Sequence, residues 1–328
     1  MIASCGLDGK RLPPLEKPVP ADISPAPSLQ LPRGLRILAL GLPGLAEPLD
    51  PQSLASVHPL WAADVEALGP WRLEQDRVWL PGSPQGADIS VCGPCSSTMD
   101  VARELVARGE LGVFGQGWGS VIAPTQTGGR GQLRRAWLSS PGNVLATLVM
   151  PPAEGLWNDL RPLVLGHLLA EALGDVCGDV RVKWPNDLLL DDHKIGGILV
   201  EERPGCILAG IGLNLAWAPR EEELRQGHCV AAGCFPAISG VSGVLGLWRM
   251  LVNRLETGYL SLLETFTPGD FLTIFQSRLA WKGRRVLVTE GAGVRYKARI
   301  KGVSGKGELV LDHEGREILL LAGDVTPV

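Results

Sequence analysis

Two apolar segments joined by a tight turn constrain the fold of this chain more than any other feature. Lys194–Glu201 and Cys206–Leu215 have the composition of strands, and Arg203-Pro204-Gly205 between them is typical of a hairpin turn. Asn143–Met150 is a third apolar strand. Strands this rich in apolar side chains are buried, so the chain must build a sheet with a covered face.

Helical patterns and a change of periodicity complete the predicted fold. Trp157–Leu173 carries apolar residues at helical spacing, and Val244–Leu263 and Gly269–Trp281 are also predicted to be helices. From Arg285 to Val328 the chain shows short strands separated by glycine turns, which predicts a small β-barrel. The sequence therefore predicts an α+β protein with one domain over residues 87–281 and a barrel over residues 282–328.

The N-terminal quarter of the chain carries weaker signals. Residues 1–33 are rich in proline and small side chains, which predicts a disordered tail. Residues 34–86 are predicted to form a small N-terminal region, with one or two helices over Leu54–Leu68 and a hairpin over Trp71–Leu80. A degenerate winged helix is an alternative for this region, although its prolines interrupt any long helix.

Charge and composition argue against several classes of function. The chain has 31 lysine and arginine residues against 35 aspartate and glutamate residues, and this net charge of −4 argues against nucleic acid as a partner. A DNA-binding role needs a basic recognition helix, and the N-terminal region supplies only Arg36, Arg72 and Arg77. We expect no membrane span and no signal peptide, and seven cysteines suit a reduced, cytoplasmic protein.

Two polar segments have the residue types that bind phosphates. Gly128-Gly129-Arg130-Gly131 combines glycines, whose backbone amides can approach phosphate oxygens, with a bidentate cation. Lys183-Trp184-Pro185-Asn186-Asp187 ends an alternating strand with a cation, an amide and a carboxylate. If residues 191–193 turn the chain, Lys194 returns beside Asp187, and the cluster suits a polyphosphate with Mg²⁺. The glycine segment can also be an ordinary surface loop, and the KWPND segment can be a hairpin end with solvated charges.

Cys92 and Cys95 raise a different possibility. They follow a predicted strand, Asp88–Cys92, and precede a helix for which Ser97 is the predicted N-cap, which is the setting of a redox-active cysteine pair. The other surroundings of such a pair are missing, and the two cysteines lack a second well-spaced pair to hold zinc. A thiol oxidoreductase is therefore kept only as an alternative.

Taken together, the motifs resemble those of biotin protein ligases, from about Ala87 to the C-terminus. The resemblance lies in SSTMD (96–100), TQTGGRG (125–131) with the later Trp137, KWPND (183–187), KIGGILVEE (194–202) and GIGLNL (210–215). The order and spacing of these segments agree throughout. The resemblance implies a class II synthetase-like mixed-sheet catalytic domain followed by a small SH3-like β-barrel.

The resemblance also implies an ATP-dependent ligase. Biotin would attack the α-phosphate of ATP to give biotinyl-5′-AMP, and a lysine of a biotin carboxyl carrier protein, of acetyl-CoA carboxylase or a similar enzyme, would then accept biotin. A homodimer is one possible assembly. The implied catalytic residues are Lys194, Arg130 and Asp187, with Asp187 positioning Mg²⁺ or a lysine.

The implied substrate-binding residues extend over all of these motifs. Three of them, Ser97, Thr98 and Gln126, would bind the ureido ring, Trp184 would wall the bicycle, and a loop over residues 218–237 would close over the adenylate. The full set is Ser97, Thr98, Met99, Gln126, Gly129, Arg130, Gly131, Gln132, Arg135, Trp137, Lys183, Trp184, Asn186, Lys194, Gly197 and Asn214.

Two positions depart from the family pattern. The usual GRGR reads GRGQ here because Gln132 replaces the second arginine, and the usual STN triplet ends in Met99. A neutral amide at position 132 predicts a weaker hold on the adenylate, unless Arg134 or Arg135 reaches the same phosphate.

Overall fold

The computed structural model describes residues 34–83, 86–112, 118–132, 135–138, 140–223, 230–236, 243–291 and 293–328. The tail predicted over residues 1–33 lies outside them. The described residues form a ten-stranded mixed sheet, followed by a five-stranded antiparallel sheet, with six α-helices. This arrangement confirms the predicted α+β class with a large mixed sheet and a small C-terminal β unit.

The elements are defined by their order along the chain. The large sheet contains β1 (Leu35–Leu38), β2 (Arg72–Glu74), β3 (Val78–Leu80), β4 (Asp88–Val91), β5 (Gly119–Ile122), β6 (Val144–Met150), β7 (Arg181–Lys183), β8 (Asp187–Leu190), β9 (His193–Arg203) and β10 (Cys206–Leu213). The small sheet contains β11 (Arg285–Glu290), β12 (Val294–Val303), β13 (Leu309–His313), β14 (Arg316–Leu320) and β15 (Asp324–Pro327). The helices are α1 (Pro51–Val57), α2 (Pro59–Leu68), α3 (Thr98–Ala107), α4 (Leu156–Cys177), α5 (Val244–Thr265) and α6 (Pro268–Phe275).

The predicted hairpin forms the centre of the large sheet. The strand order is β2-β3-β1-β4-β5-β6-β10-β9-β8-β7, and only the β1–β4 and β4–β5 pairs are parallel. In the hairpin, Cys206 pairs with Arg203 and Leu213 pairs with Gly196. The C-terminal half of the sheet is therefore an antiparallel platform made of β6, β10, β9, β8 and β7.

The two faces of this platform are covered differently. Alternate residues of β10, such as Ile207 and Ile211, join the main core with α4 and α5, whereas Leu208 joins a second core with α3. Helix α3 begins at its predicted N-cap and packs over β5, β6 and β10. The same face of β10 continues across β9 and β8, where Gly212, Gly197 and Asp187 lie opposite one another, and it carries the residues of the candidate site.

Residues 34–86 do not form a separate winged helix, which corrects that alternative. Strand β1 pairs in parallel with β4, with Leu35 opposite Ile89, and antiparallel with β3, with Leu38 opposite Val78. The predicted hairpin over residues 71–80 is present as β2 and β3, and the predicted helical stretch is the pair α1 and α2. The region is one edge of the large sheet, because the four-residue strand β1 joins it to β4.

The cations of this region do not make a basic surface. Arg36 is buried and paired with Asp88, Arg72 is paired with Glu74, and Arg77 is paired with Glu110. Their charges are therefore neutralised locally. In the described part of the chain, no helix has the length and apolarity needed to cross a membrane.

The helix predicted over residues 269–281 is shorter than expected. Helix α6 ends at Phe275, because the following backbone turns to pair with strand β7. The Val182 amide donates to the Arg278 carbonyl (2.8 Å), and the Ala280 amide donates to the Val182 carbonyl (2.9 Å). Tertiary hydrogen bonds thus override local helical periodicity at this point.

Candidate active site

Three glycines line one face of β9 and β10, and we call the space above them the groove. Gly197 and Gly212 lie directly opposite each other, and Gly210 follows on the same face. The indole of Trp137 rests on this floor, since a Cβ at Gly212 would lie 2.4 Å from the ring and one at Gly197 would lie 3.1 Å from it. The Met99 sulfur would lie 3.0 Å from a Cβ at Gly210. Larger residues at these positions would collide with Trp137 or Met99, so the glycines let a flat ring lie directly on the sheet.

The glycine-rich loop presents Trp137 to this groove. The Gly131 amide donates to the Arg135 carbonyl (2.7 Å), and the Trp137 amide donates to the Gly129 carbonyl (2.9 Å). The indole Nε1 is buried and has no hydrogen-bond partner among the described residues. A buried donor without an acceptor costs free energy, so a ligand that accepts from this group would be favoured.

A charge cluster closes one end of the groove, where β7, β8 and β9 meet. Lys194 Nζ lies 2.6 Å from Asp187 Oδ1, and Lys183 Nζ lies 3.2 Å from Asp187 Oδ2. Asp191 and Asp192 reverse the chain with φ values of 50° and 61°. The prediction that a turn returns Lys194 to Asp187 is therefore confirmed.

The cluster and the groove form one site. Lys194 Nζ lies 5.5 Å from the centroid of the Trp137 ring, within the range of a cation–π contact. A Cβ at Gly197 would lie 3.6 Å from Asp187 Oδ1. The site thus places an ammonium group at the end of an aromatic and glycine-lined bed.

Opposite charges keep the members of the cluster ionised. Burial raises the pKa of the Asp187 carboxyl, but the ammonium groups of Lys194 and Lys183 outweigh burial and hold that pKa below its ordinary value. Burial lowers the pKa of Lys183, but Asp187 and Asp324 outweigh it and hold that pKa above its ordinary value. Both groups are therefore charged at neutral pH.

Asp324 belongs to the cluster, although the sequence did not point to it. Its Oδ1 lies 2.5 Å from Lys183 Nζ. The two residues are 141 positions apart, on β15 and β7. No local motif surrounds Asp324, so only the docking of the small sheet on the large one reveals the contact.

Asp187 does not fit the predicted role of a Mg²⁺ ligand. Each of its carboxylate oxygens already faces a lysine ammonium, at 2.6 Å and 3.2 Å, and these two charges would repel a divalent cation. Among the described residues, no group of three or more acidic, histidine or cysteine side chains is placed to hold a metal ion. The geometry supports the other predicted role of Asp187, the positioning of a lysine.

Polar groups gather on the β6 side of the groove. The amide and the hydroxyl of Thr98 donate to Gln126 Oε1, at 2.7 Å and 3.2 Å. The Thr98 hydroxyl also lies 2.9 Å from the hydroxyl of Thr147, which sequence analysis missed. Ser97 caps α3 by accepting from the Met99 amide at 3.4 Å. The groups predicted to bind a ureido ring are thus brought together at the start of α3.

Arg130 is brought near α3 rather than to Lys194. Its guanidinium donates two hydrogen bonds to Asp100, at 3.0 Å and 2.9 Å. Gln132 and Arg135, from the same loop, are exposed, and position 134 lies outside the described residues. The catalytic role of Arg130 and the consequence of Gln132 therefore stay predictions.

Trp184 does not wall the groove, which corrects its predicted role. It is buried, and its indole Nε1 donates to the Gly307 carbonyl (2.8 Å) in the turn before β13. The ring therefore ties the large sheet to the small one. Asn186 is also structural, because its amide donates to the Ile198 carbonyl (2.6 Å) of β9.

Asn214 anchors part of the loop that was predicted to close the site. Its amide nitrogen lies 3.3 Å from the Lys194 carbonyl and 3.2 Å from the Gly233 carbonyl. The Lys194 amide in turn donates to the Ala231 carbonyl (2.7 Å). The described segment 230–236 is thus held beside the start of β9. The side-chain oxygen of Asn214 is buried and has no partner among the described residues.

The cysteine pair lacks the properties of a redox site. Cys92 and Cys95 are both buried and free. A hydrogen bond to Cys95 and burial raise the pKa of the Cys92 thiol well above its ordinary value. Redox-active cysteines need thiolate character and access, so the structure argues against this alternative.

Comparisons with known proteins identify relatives of this chain. Residues 116–216 match the model of the biotin/lipoate A/B protein ligase family. The biotin–[acetyl-CoA-carboxylase] ligase of Paracoccus denitrificans is 30% identical over 224 residues, which cover 63% of this chain and 89% of that protein. The bifunctional ligase/repressor BirA of Escherichia coli is 34% identical over 246 residues, which cover 71% of this chain and 72% of that protein.

A solved structure shows the same fold. The biotin protein ligase from Aquifex aeolicus in complex with biotin and ATP superposes with a TM-score of 0.59 at 24% identity. The match covers 73% of this chain and 97% of that chain. The mixed sheet that carries the groove is therefore shared with that structure.

Proposed function

The chain belongs to the biotin protein ligase family, and we propose that it activates biotin with ATP as biotinyl-5′-AMP and transfers biotin to a lysine of a biotin carboxyl carrier protein. One observation carries the proposal: a glycine-floored, aromatic groove ends at the Lys194 ammonium. Such a groove suits an elongated acid with an apolar body. The relative in Paracoccus denitrificans is named for acetyl-CoA carboxylase, so we propose a carrier of that kind as acceptor.

Biotin would lie along the glycine floor. Its ureido ring would exchange hydrogen bonds with the Thr98–Gln126 pair, and its aliphatic chain would cross Gly210 and Gly212. Trp137 rests on the floor, so binding would exchange its contact with Gly212 for a contact with the ligand. The carboxylate would then point towards Lys194.

In the first step, a biotin carboxylate oxygen attacks the α-phosphorus of ATP, and the bond to pyrophosphate breaks. Lys194 neutralises the negative charge that grows on the α-phosphate, while Asp187 fixes the position of the ammonium. In the second step, the amine of the carrier lysine attacks the biotinyl carbonyl carbon. The bond to AMP breaks, and the amine loses a proton to solvent.

Biotin-dependent exchange of pyrophosphate into ATP tests the proposal. Lys194→Ala should reduce exchange by about 100- to 1,000-fold, because removing one group that stabilises transition-state charge costs about 3–4 kcal/mol. Lys297→Ala, on an exposed position of β12, is the matched control and should keep wild-type exchange.

The outcomes separate the proposed substrate from others. Exchange that requires biotin supports the proposal, and exchange that requires lipoate instead would redirect it to the other substrate class in the family's name. If the wild type exchanges pyrophosphate in the absence of both biotin and lipoate, the proposal is overturned. Labelling of a carrier domain with biotin then tests the transfer step separately.

A further inference from the structure

Four side chains of alternating charge connect the C-terminal sheet to the catalytic lysine. Asp324 Oδ1 lies 2.5 Å from Lys183 Nζ, Lys183 lies 3.2 Å from Asp187, and Asp187 lies 2.6 Å from Lys194 Nζ. The chain of contacts runs from β15 through β7 and β8 to β9. Its signs alternate strictly, so each group is attracted by its neighbours.

Burial strengthens the electrostatic attraction among these four side chains. The side chains of Lys183, Asp187 and Asp324 are 7%, 13% and 15% exposed, and that of Lys194 is 30% exposed where it faces the groove. Charges shielded from water interact more strongly than surface charges. With all four members ionised the net charge is zero, and without Asp324 it would be +1.

The backbone holds Asp324 in place. A Cβ on the preceding residue, Gly323, would lie 2.8 Å from the Thr289 carbonyl oxygen of β11. Asp324 itself pairs with Thr289 at the start of β15. The carboxylate is therefore presented from a tightly packed strand end.

We propose that Asp324 is a positioning residue for Lys194, which it controls through Lys183 and Asp187. It shares the Lys183 ammonium with Asp187 and binds it at the shorter distance, so that the other oxygen of Asp187 stays paired with Lys194. The inference rests on the proposed function for its catalytic consequence. The small sheet thereby contributes to the adenylation site without touching the substrates.

Loss of the Asp324 charge has a distinctive consequence. In Asp324→Asn, the Lys183 ammonium would move towards Asp187 and compete with Lys194 for its carboxylate. Lys194 would then be displaced and would lie next to a net positive charge. The extra positive charge should favour the anionic nucleotide, so the KM for ATP should not rise while kcat falls.

Steady-state pyrophosphate exchange measures kcat and the KM for ATP separately. Asp324→Asn should lower kcat for pyrophosphate exchange by about 10- to 100-fold, the range expected when a reacting group is misplaced by about 1 Å. Asp324→Glu, which restores the charge, should recover part of the rate. Asp312→Asn is the matched control, because Asp312 lies in the same sheet, on β13, and its carboxylate accepts a hydrogen bond from the Gly315 amide in a turn.

A double-mutant cycle identifies the route. If Asp324 acts through Lys183, then Asp324→Asn should cause no further loss of kcat in a Lys183→Met background. An equal loss in both backgrounds would overturn the route. A rise in the KM for both substrates in Asp324→Asn, with kcat unchanged, would also overturn it, because it would indicate a general distortion of the site.

Chemical labelling tests the positioning without using the enzymatic activity. Limited acetylation with acetic anhydride at fixed pH, followed by peptide mass spectrometry, reports the reactivity of the Lys194 amine. We expect faster acetylation of Lys194 in Asp324→Asn than in the wild type, with Lys297 unchanged as an internal reference. Equal rates would overturn the inference even if exchange proved independent of biotin, whereas absence of biotin-dependent exchange in the wild type would overturn only the proposed function.

Discussion

The Asp187→Asn substitution should destabilise the protein as well as inactivate it. Asp187 is the only carboxylate between two lysines in the described cluster, so the amide would leave two ammonium groups facing each other. Removing one partner of a buried ion pair costs about 3–5 kcal/mol. Because Lys194 is partly exposed and screened by water, we expect the lower end, about 3 kcal/mol.

Thermal and urea unfolding measure this loss. A destabilisation of about 3 kcal/mol corresponds to a fall in Tm of about 6–12 °C, at about 2–4 °C per kcal/mol. The control is Asp179→Asn, which removes an exposed partner of Arg181 at the start of the neighbouring strand and should cost less than about 1 kcal/mol. Equal losses in the two variants would refute the argument from burial.

The pH dependence of stability gives the same prediction a second test. The pKa of Asp187 is held below its ordinary value of 3.8 in the folded state, so the unfolded state binds a proton more readily. The stability from Asp187 is therefore fully present above about pH 4 and is lost as the pH falls through the lower, folded pKa. Asp187→Asn should lose less stability on acidification than the wild type does.

Three further predictions concern other parts of the molecule. Trp137→Ala removes the ring that the bound ligand would contact and should weaken biotinyl-AMP binding about fivefold, measured by its dissociation rate, since losing about 1 kcal/mol of apolar contact is about a fivefold change in affinity. Gln132→Arg should slow release of the adenylate about 3- to 10-fold, and an unchanged release rate would assign no phosphate contact to this position. Burial raises the pKa of Asp64 to about 6, so the stability that the protonated carboxyl contributes is present below about pH 4 and is lost as the pH rises through 6. Asp64→Asn should therefore flatten this part of the plot of the urea unfolding midpoint against pH.

The sequence determined the local features of the fold. The apolar hairpin over residues 194–215, the Ser97 helix cap and the change to short strands after residue 284 are each set by neighbouring residues, so periodicity and turn chemistry were sufficient to predict them. The return of Lys194 to Asp187 was predictable for the same reason, since a short turn fixes that distance. The resemblance to biotin protein ligases rested on motifs that are contiguous in the chain.

Tertiary structure decided the contacts between distant segments. Strand β1 is only four residues long, and its pairing with β4 makes residues 34–86 an edge of the large sheet. Trp184 could face either the groove or the small sheet, and its hydrogen bond to Gly307 settles the direction. Asp324 meets Lys183 across 141 positions, because the two sheets dock there. Local patterns specify which face of an element is apolar, but which distant partner covers that face is decided only when the whole core packs.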